Sequence, residues 1–375
     1  MTINGDVVCR ELNLYDCIQC GRCTGGCPVS MRSRLNPRRL IYEALLGVKF
    51  VPSERTEIWE CTSCATCIQR CPKKVRPMDL VIHLRSDIIE SGRIRPAVRD
   101  ALESTFLHGN PWGRAREKRT EWIGDEKVKI LKEGESVDIL YYVCCTAAYD
   151  TRVQEVARSI IKIMNRLNLD YAILGNEENC CSNEMNKMGE KGLFEISMEK
   201  NIELFSKYRF SKMVTTSPHC FHTFKNDYPE ADYQLFHYTQ FFSMLIDDGI
   251  LKFSKELKSK ITYHDPCFLG KQNKIFEEPR KILQSIPGVE YIEMDRSRER
   301  SLCCEGGGGR MWIESESQEE RLAEIRVKDA VSSGAEILAT ACPFCLLTLE
   351  DAVKTTGNEE KIRVCDISEI IEEII

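Results

Sequence analysis

Nowhere does the sequence hold an apolar run of about 18 residues, so no membrane-spanning helix is predicted. Met1 to Arg10 lack the basic-then-apolar layout of an export signal. These two absences predict a cytoplasmic protein with no membrane span, able to dock on a membrane partner. A strong excess of one charge is missing too. The formal net charge is −6 over 375 residues, which gives no pull towards nucleic acid or a lipid surface. No GxGxxG fingerprint is present, so flavin and nicotinamide are expected on partners. The glycine run Gly306–Gly309 lacks a Lys-Ser/Thr ending and follows no predicted strand, which excludes a phosphate loop. A hydrophobic content of 42% and a charged content of 29% predict a globular chain of two or three domains.

Cysteine is what the sequence has in excess: twenty of them. A secreted disulfide scaffold is the competing reading. A long chain without an export signal, with cysteines at ligand spacings, points instead to thiolate ligands in a reducing compartment. Cys17-x2-Cys20-x2-Cys23-x3-Cys27-Pro28 is repeated as Cys61-x2-Cys64-x2-Cys67-x3-Cys71-Pro72. This is the bacterial ferredoxin run, twice. The spacing lets one tight loop present three sulfurs to one cube. By the crossover rule one [4Fe–4S] cubane takes Cys17, Cys20, Cys23 and Cys71, and the other Cys61, Cys64, Cys67 and Cys27. A pair of zinc knuckles is the alternative; two intact copies without histidine disfavour it. Between the runs, Asn36 to Gly47 reads as a helix with Asn36 as N-cap, Pro37 at its first position and Gly47 as its stop. Further helices are predicted over Ser53–Glu60 and Met78–Glu90. Cys9 and Cys365 read as packed core thiols.

Residues 93–136 read as a polar linker. They gather Arg93, Arg95, Arg99, Arg114, Arg116, Lys118 and Arg119, either a solvated face or a docking surface for an acidic partner or anionic ligand. From Val137 strands and helices alternate, which implies α/β layers with a mostly parallel sheet. Strands are predicted at 138–144, 170–174, 213–217, 289–294, 336–341 and 363–365. Helices are predicted at 152–167, 191–208, 219–226, 277–285 and, as one long element, 317–333, with another after Pro343. The pattern runs twice. Cys145 corresponds to Cys267, Cys180-Cys181 to Cys303-Cys304, and Ser217-Pro218-His219-Cys220 to Cys342-Pro343-Phe344-Cys345. Each group falls at a loop end after a predicted strand, where α/β folds place binding sites. Adjacent cysteines pair poorly with each other as disulfides, so two neighbouring thiolates aimed at one metal site are the better reading.

The order Cys267, Cys303-Cys304-Glu305-Gly306, Cys342-Pro343-Phe344-Cys345 resembles the CCG domain of heterodisulfide reductases, with Glu305 where the family has Gly. Joined to the double ferredoxin run, the whole chain resembles the D-type subunit, a fused C-type ferredoxin half and B-type CCG half. The resemblance implies an α+β multidomain fold: an α-helical two-cluster ferredoxin domain at 1–92, the linker at 93–136, and a duplicated α/β CCG domain at 137–375, with repeats near 137–250 and 260–375. It implies a noncubane [4Fe–4S] cluster on Cys267, Cys303, Cys304, Cys342 and Cys345. In the first copy Ser217 replaces a cysteine, leaving Cys145, Cys180, Cys181 and Cys220. That site is open to zinc, an altered iron–sulfur cluster, or an empty relic. Cys144 is a possible fifth ligand, but an extended strand would point it away from Cys145. His264 and Asp265 either donate a proton to a departing thiol or orient their loop. His219 and His222 read as metal ligands or as structural histidines.

The expected function is an iron–sulfur oxidoreductase subunit. Electrons would come from a flavin-containing partner subunit, pass the two cubanes, and reach the CCG site to reduce a disulfide or thiol substrate. One alternative is electron transfer without a substrate of its own, serving a flavin dehydrogenase of glycolate or lactate type, or an aromatic-acyl-CoA reductase complex. A structural zinc scaffold is the other.

Overall fold

A computed structural model describes residues 5–48 and 55–375. The N-terminal part is helical. Arg39 N–H donates to the Asn36 side chain at 3.0 Å, Pro37 opens the helix Pro37–Leu45, and Gly47 stops the chain with φ +63°. Of the expected helix at 53–60, the first two residues lie outside the described residues; Thr56–Glu60 is a 3-10 turn. Pro77–Glu90 follows, burying Leu80, Val81, Leu84 and Ile88 against the same core. Residues 93–136 carry their own structure. They form the helix Pro96–His108 and a 3-10 stretch at Arg116–Ile123, in which Arg119 and Trp122 are buried.

The remainder holds two parallel sheets of four strands each. The first contains β1 (Ser136–Tyr142), β2 (Tyr171–Ala172), β3 (Arg209–Thr215) and β4 (Gln234–His237), in the order β2-β1-β3-β4. The second contains β5 (Ser259–Tyr263), β6 (Val289–Tyr291), β7 (Ile337–Thr340) and β8 (Arg363–Asp366), in the order β6-β5-β7-β8. The two orders are the same, so the sequence repeat is a fold repeat. Central strands are covered on both faces, which is why β7 and most of β1 are continuous apolar runs.

The copies are joined reciprocally. The helix Thr151–Arg166, which follows the first cysteine of copy one, packs on Ile367–Ile374, the last helix of copy two. Its counterpart Glu277–Ser285 packs on Tyr238–Asp247, the last helix of copy one. Arg152 crosses the seam to Glu350 at 2.6 Å and to Glu369 at 2.6 Å. The long helix expected over 317–333 is shorter, Leu322–Ser332. The reason is tertiary: the preceding residues form a strap over the ferredoxin half. Ser315 Oγ donates to Glu60 at 2.9 Å and the Glu316 N–H at 2.8 Å, while Ser317 Oγ donates to the Arg32 carbonyl.

A fully buried arginine locks the halves together. Arg85 donates to the carbonyls of Ile58 (2.8 Å), Cys61 (2.7 Å), Lys187 (2.8 Å) and Gly308 (3.0 Å). It thereby ties the ferredoxin loop to both α/β copies. Gly308 has φ +68°, and a β-carbon there would sit 2.5 Å from the Cys61 carbonyl oxygen, so only glycine allows this approach. Replacing Arg85 by Met should therefore strand several buried carbonyls and cost about 3 kcal/mol or more. Chemical denaturation of the anaerobic protein measures this. A loss below about 1 kcal/mol would show that the halves do not depend on the clamp.

Candidate metal centres

The two ferredoxin runs fold alike. In each, the second residue after the first cysteine and the first residue after the second cysteine have positive φ: Gln19 and Gly21 in one, Ser63 and Ala65 in the other. These left-handed residues curl each loop so that its sulfurs face inward. One cavity is lined by Cys17, Cys20, Cys23 and Cys71, another by Cys27, Cys61, Cys64 and Cys67. Each therefore gathers three cysteines of one run and the last of the other. Burial pushes the Cys61 thiol up to about 12, so a thiolate there needs a nearby positive charge. Cys20 is exposed, and Ile18 beside it is 62% exposed.

In the second α/β copy Cys267 lies in the turn after β5. Cys303 and Cys304 sit on the loop closed by Glu305 at φ +65°, and Cys342 and Cys345 flank the start of the helix Pro343–Thr355. All five are buried. The Cys304 and Cys345 sulfurs are 3.1 Å apart; Cys267 touches Cys303, and Cys342 touches Cys345. The Cys64 thiol of the ferredoxin half lies against Cys303, and the Cys303 thiol donates to Thr62 Oγ1 at 3.4 Å. A ring nitrogen of His264 lies within 4.8 Å of the Cys304 and Cys345 sulfurs. Burial and the neighbouring Arg326 hold this ring well below its usual pKa, hence neutral. Arg326 Nε–H donates to its Nδ1 at 3.1 Å. Asp265 is taken up by Arg280, at 2.7 and 2.9 Å, and turns away from acid–base work.

The first copy differs in a way the sequence did not suggest. β1 ends at Tyr142, and Cys144 has φ +80°, ψ +143°. The left-handed turn swings its thiol inward, against the expectation that an extended strand would point it away from Cys145. The Cys145 and Cys180 sulfurs are 3.6 Å apart. Cys180 lies against Cys181, Cys181 against Cys220, Cys220 against Cys144, and Cys144 against Cys145. Buried Glu178 holds the turn. It accepts from the N–H groups of Val143 (3.0 Å) and Cys144 (3.1 Å), and it pairs with buried Arg119. Ser217 is otherwise engaged: its hydroxyl accepts from the His219 N–H at 3.2 Å as a helix N-cap. A cavity lined by Arg116, Asn179, Lys200 and Gly109 reaches Cys180.

The two copies meet at His219. Its Nδ1 lies 3.0 Å from Glu184 and its ring lies against the Cys342 thiol of the other copy. Burial opposes charging this ring, but Cys342 and Glu184 outweigh it and push the pKa up to about 10. The ring stacks on Phe268 at 4.0 Å and meets Phe344 edge-on at 4.9 Å. His222, three residues on, is neutral, pushed down to about 3 by burial.

Comparison with known proteins agrees with this layout. The cysteine-rich CCG domain matches residues 139–225 and 261–350, and the 4Fe-4S dicluster domain matches residues 13–75. The D-type subunit of the dihydromethanophenazine:CoB–CoM heterodisulfide reductase from Methanosarcina barkeri is 30% identical, over 97% of this chain and 94% of that one. The chain belongs to the CCG-domain iron–sulfur oxidoreductases of the heterodisulfide reductase D type. The probable iron-sulfur-binding oxidoreductase FadF of Bacillus subtilis is 31% identical over 96% of this chain and 59% of its own. The EtfAB:quinone oxidoreductase of Syntrophomonas wolfei is 30% identical over 96% and 58%. This D-type chain thus spans about three fifths of the length of those two relatives. No helix among the described residues is long and apolar enough to cross a membrane.

The residues present fit the iron–sulfur clusters that the family implies. Every donor set is made of thiols, none of them joined in a disulfide, and the ferredoxin sets line cavities in fours. Of the residues that shape these sites in this D-type chain, the sequence hides Glu178 altogether and shows Cys144 and His219 only as candidates without their placement. Cys144 needed its backbone angle, Glu178 its buried partner, and His219 the packing of one copy on the other. Changing Glu178 to Gln would leave Arg119 as an uncompensated buried charge and should cost about 3–5 kcal/mol. Thermal and urea unfolding, compared with Glu177→Gln as an exposed control, would expose the alternative, an equal effect at both positions.

Proposed function

We propose that this D-type chain carries electrons from a flavin-bearing partner to a disulfide or thiol substrate, within a larger redox complex. The supporting observation is the contact between Cys64 and Cys303, which brings the ferredoxin half and the second CCG copy together at the level of their sulfurs. When bound, iron–sulfur clusters at these sites supply one-electron storage and transfer. Cys17, Cys20, Cys23 and Cys71 would hold one [4Fe–4S] cubane, and Cys27, Cys61, Cys64 and Cys67 the other. Cys267, Cys303, Cys304, Cys342 and Cys345 would hold the CCG cluster. Exposed Cys20 and Ile18 give the partner an apolar place to dock beside the first set. The overall conversion takes one disulfide, two electrons and two protons to two thiols. His264 would fix the Cys304–Cys345 side of the site as a neutral neighbour, and His219 would lie against Cys342 as a cationic one.

A second reading is supported by the space between the two copies. His219 stacks on Phe268 there and meets Phe344 edge-on, filling the space between the two thiol sets. By that reading the chain passes electrons on without a substrate of its own. Viologen-linked disulfide reduction by the anaerobic protein separates the two. Wild type should turn over. Cys303→Ser should lose at least about tenfold in rate, a loss of transition-state stabilisation above about 1.4 kcal/mol, while dithionite still reduces both cubanes with unchanged EPR signals. A fully loaded wild-type chain that reduces no disulfide would leave only the electron-transfer reading.

A further inference from the structure

We propose that Cys144 is the fifth thiol of the first CCG copy, and that this copy holds a multi-iron iron–sulfur cluster rather than a zinc ion. The inference rests on the reading that five thiols of the second copy hold such a cluster.

The sequence shows this copy as degenerate because Ser217 stands at the fifth cysteine position. The structure shows the thiol count restored from elsewhere. Cys144, Cys145, Cys180, Cys181 and Cys220 are all buried, and each touches two others, so the five close a ring. The second copy offers five as well, as an open arc from Cys267 through Cys303, Cys304 and Cys345 to Cys342. Zinc takes four ligands in a closed tetrahedral site. A zinc ion here would leave one thiol unused, yet the unused thiol would occupy a costly backbone conformation. A non-glycine residue at φ +80° persists only when its surroundings over-determine it. Those surroundings are present: two N–H groups of the turn bind one buried carboxylate, which is itself held by a buried arginine. Ser217 has the complementary fate. Its hydroxyl is committed to the helix N-terminus, a role that serine fills well and that leaves it off the metal site.

Metal content and spectroscopy of the full chain, purified anaerobically, test this. Wild type should carry about sixteen irons per chain and no stoichiometric zinc. Cys144→Ser should lose about four irons and one set of Mössbauer and EPR signals, with both cubane signals retained. Ser217→Ala should keep its iron. The double variant Cys144→Ser/Ser217→Cys, which moves the thiol to the position matching Cys342, should regain the lost cluster. Full iron in Cys144→Ser overturns the proposal, as does a wild type with about twelve irons and one zinc. If Cys144→Ser does not fold, wild-type zinc content and the double variant decide between those same outcomes. A wild type with about eight irons would have both CCG copies bare. That result removes the reading of the second copy, and this proposal with it.

Discussion

Sulfur packed against sulfur in a dry interior is the constraint from which the rest follows. Thiolates repel one another, and burial penalises each of them separately. Eighteen of the cysteines here stand in four groups, counting Cys144 with the first copy, and the ten of the two α/β copies are all buried. A bound metal core resolves the conflict by supplying positive charge where the sulfurs converge. Everything the polypeptide does around the groups serves to bring the sulfurs inward without leaving polar groups unpaired. The ferredoxin loops use paired left-handed residues. The α/β copies place their cysteines after parallel strands and at helix starts, where backbone N–H groups face the site.

A second requirement is that the groups be close to one another, and this is what ties the domains together. Arg85 directs its hydrogen bonds to four carbonyls from three parts of the chain. The strap at 314–321 and the glycine loop above Cys61 close the same junction. Such an interface resembles a core more than a hinge, because its arginine is wholly buried and its partners are backbone carbonyls. Relative motion of the two halves would break these bonds together, so the Cys64–Cys303 approach is a fixed feature of the molecule.

Much of this was legible in the sequence. Cysteine spacing marked both ferredoxin runs, and the internal repeat anticipated two sheets of identical strand order. Apolar runs located most strands to within a few residues. The misses share one cause, tertiary context. Ser317 to Arg321 look helical by themselves, but Ser315 and Glu316 just before them are held by Glu60, and Ser317 and Glu319 by Arg32. Segment 93–136 looks polar, yet Arg119 is buried because Glu178 awaits it. β4 and the helix Tyr238–Asp247 were hidden because Gln234 and its neighbours are only partly covered, so the alternation is weak. Strand geometry assigns Cys144 to the wrong side, since nothing in a one-dimensional pattern reports a left-handed turn.

His219 shows why the two copies do not act as independent sites. It occupies the variable position between Pro218 and Cys220 of copy one, yet its ring reaches Cys342 of copy two. Glu184, also of copy one, anchors the ring and accepts the Gly309 N–H from the glycine loop of copy two at 2.6 Å. A change of charge at Cys342 is therefore felt by a residue adjacent to Cys220, through one imidazole. The reverse holds as well, because any shift of the first copy's helix start moves the imidazole that lies against Cys342. Duplication gave two similar thiol sets. The sets differ where Ser217 stands against Cys342 and Cys144 against Pro266, and one imidazole lies between them.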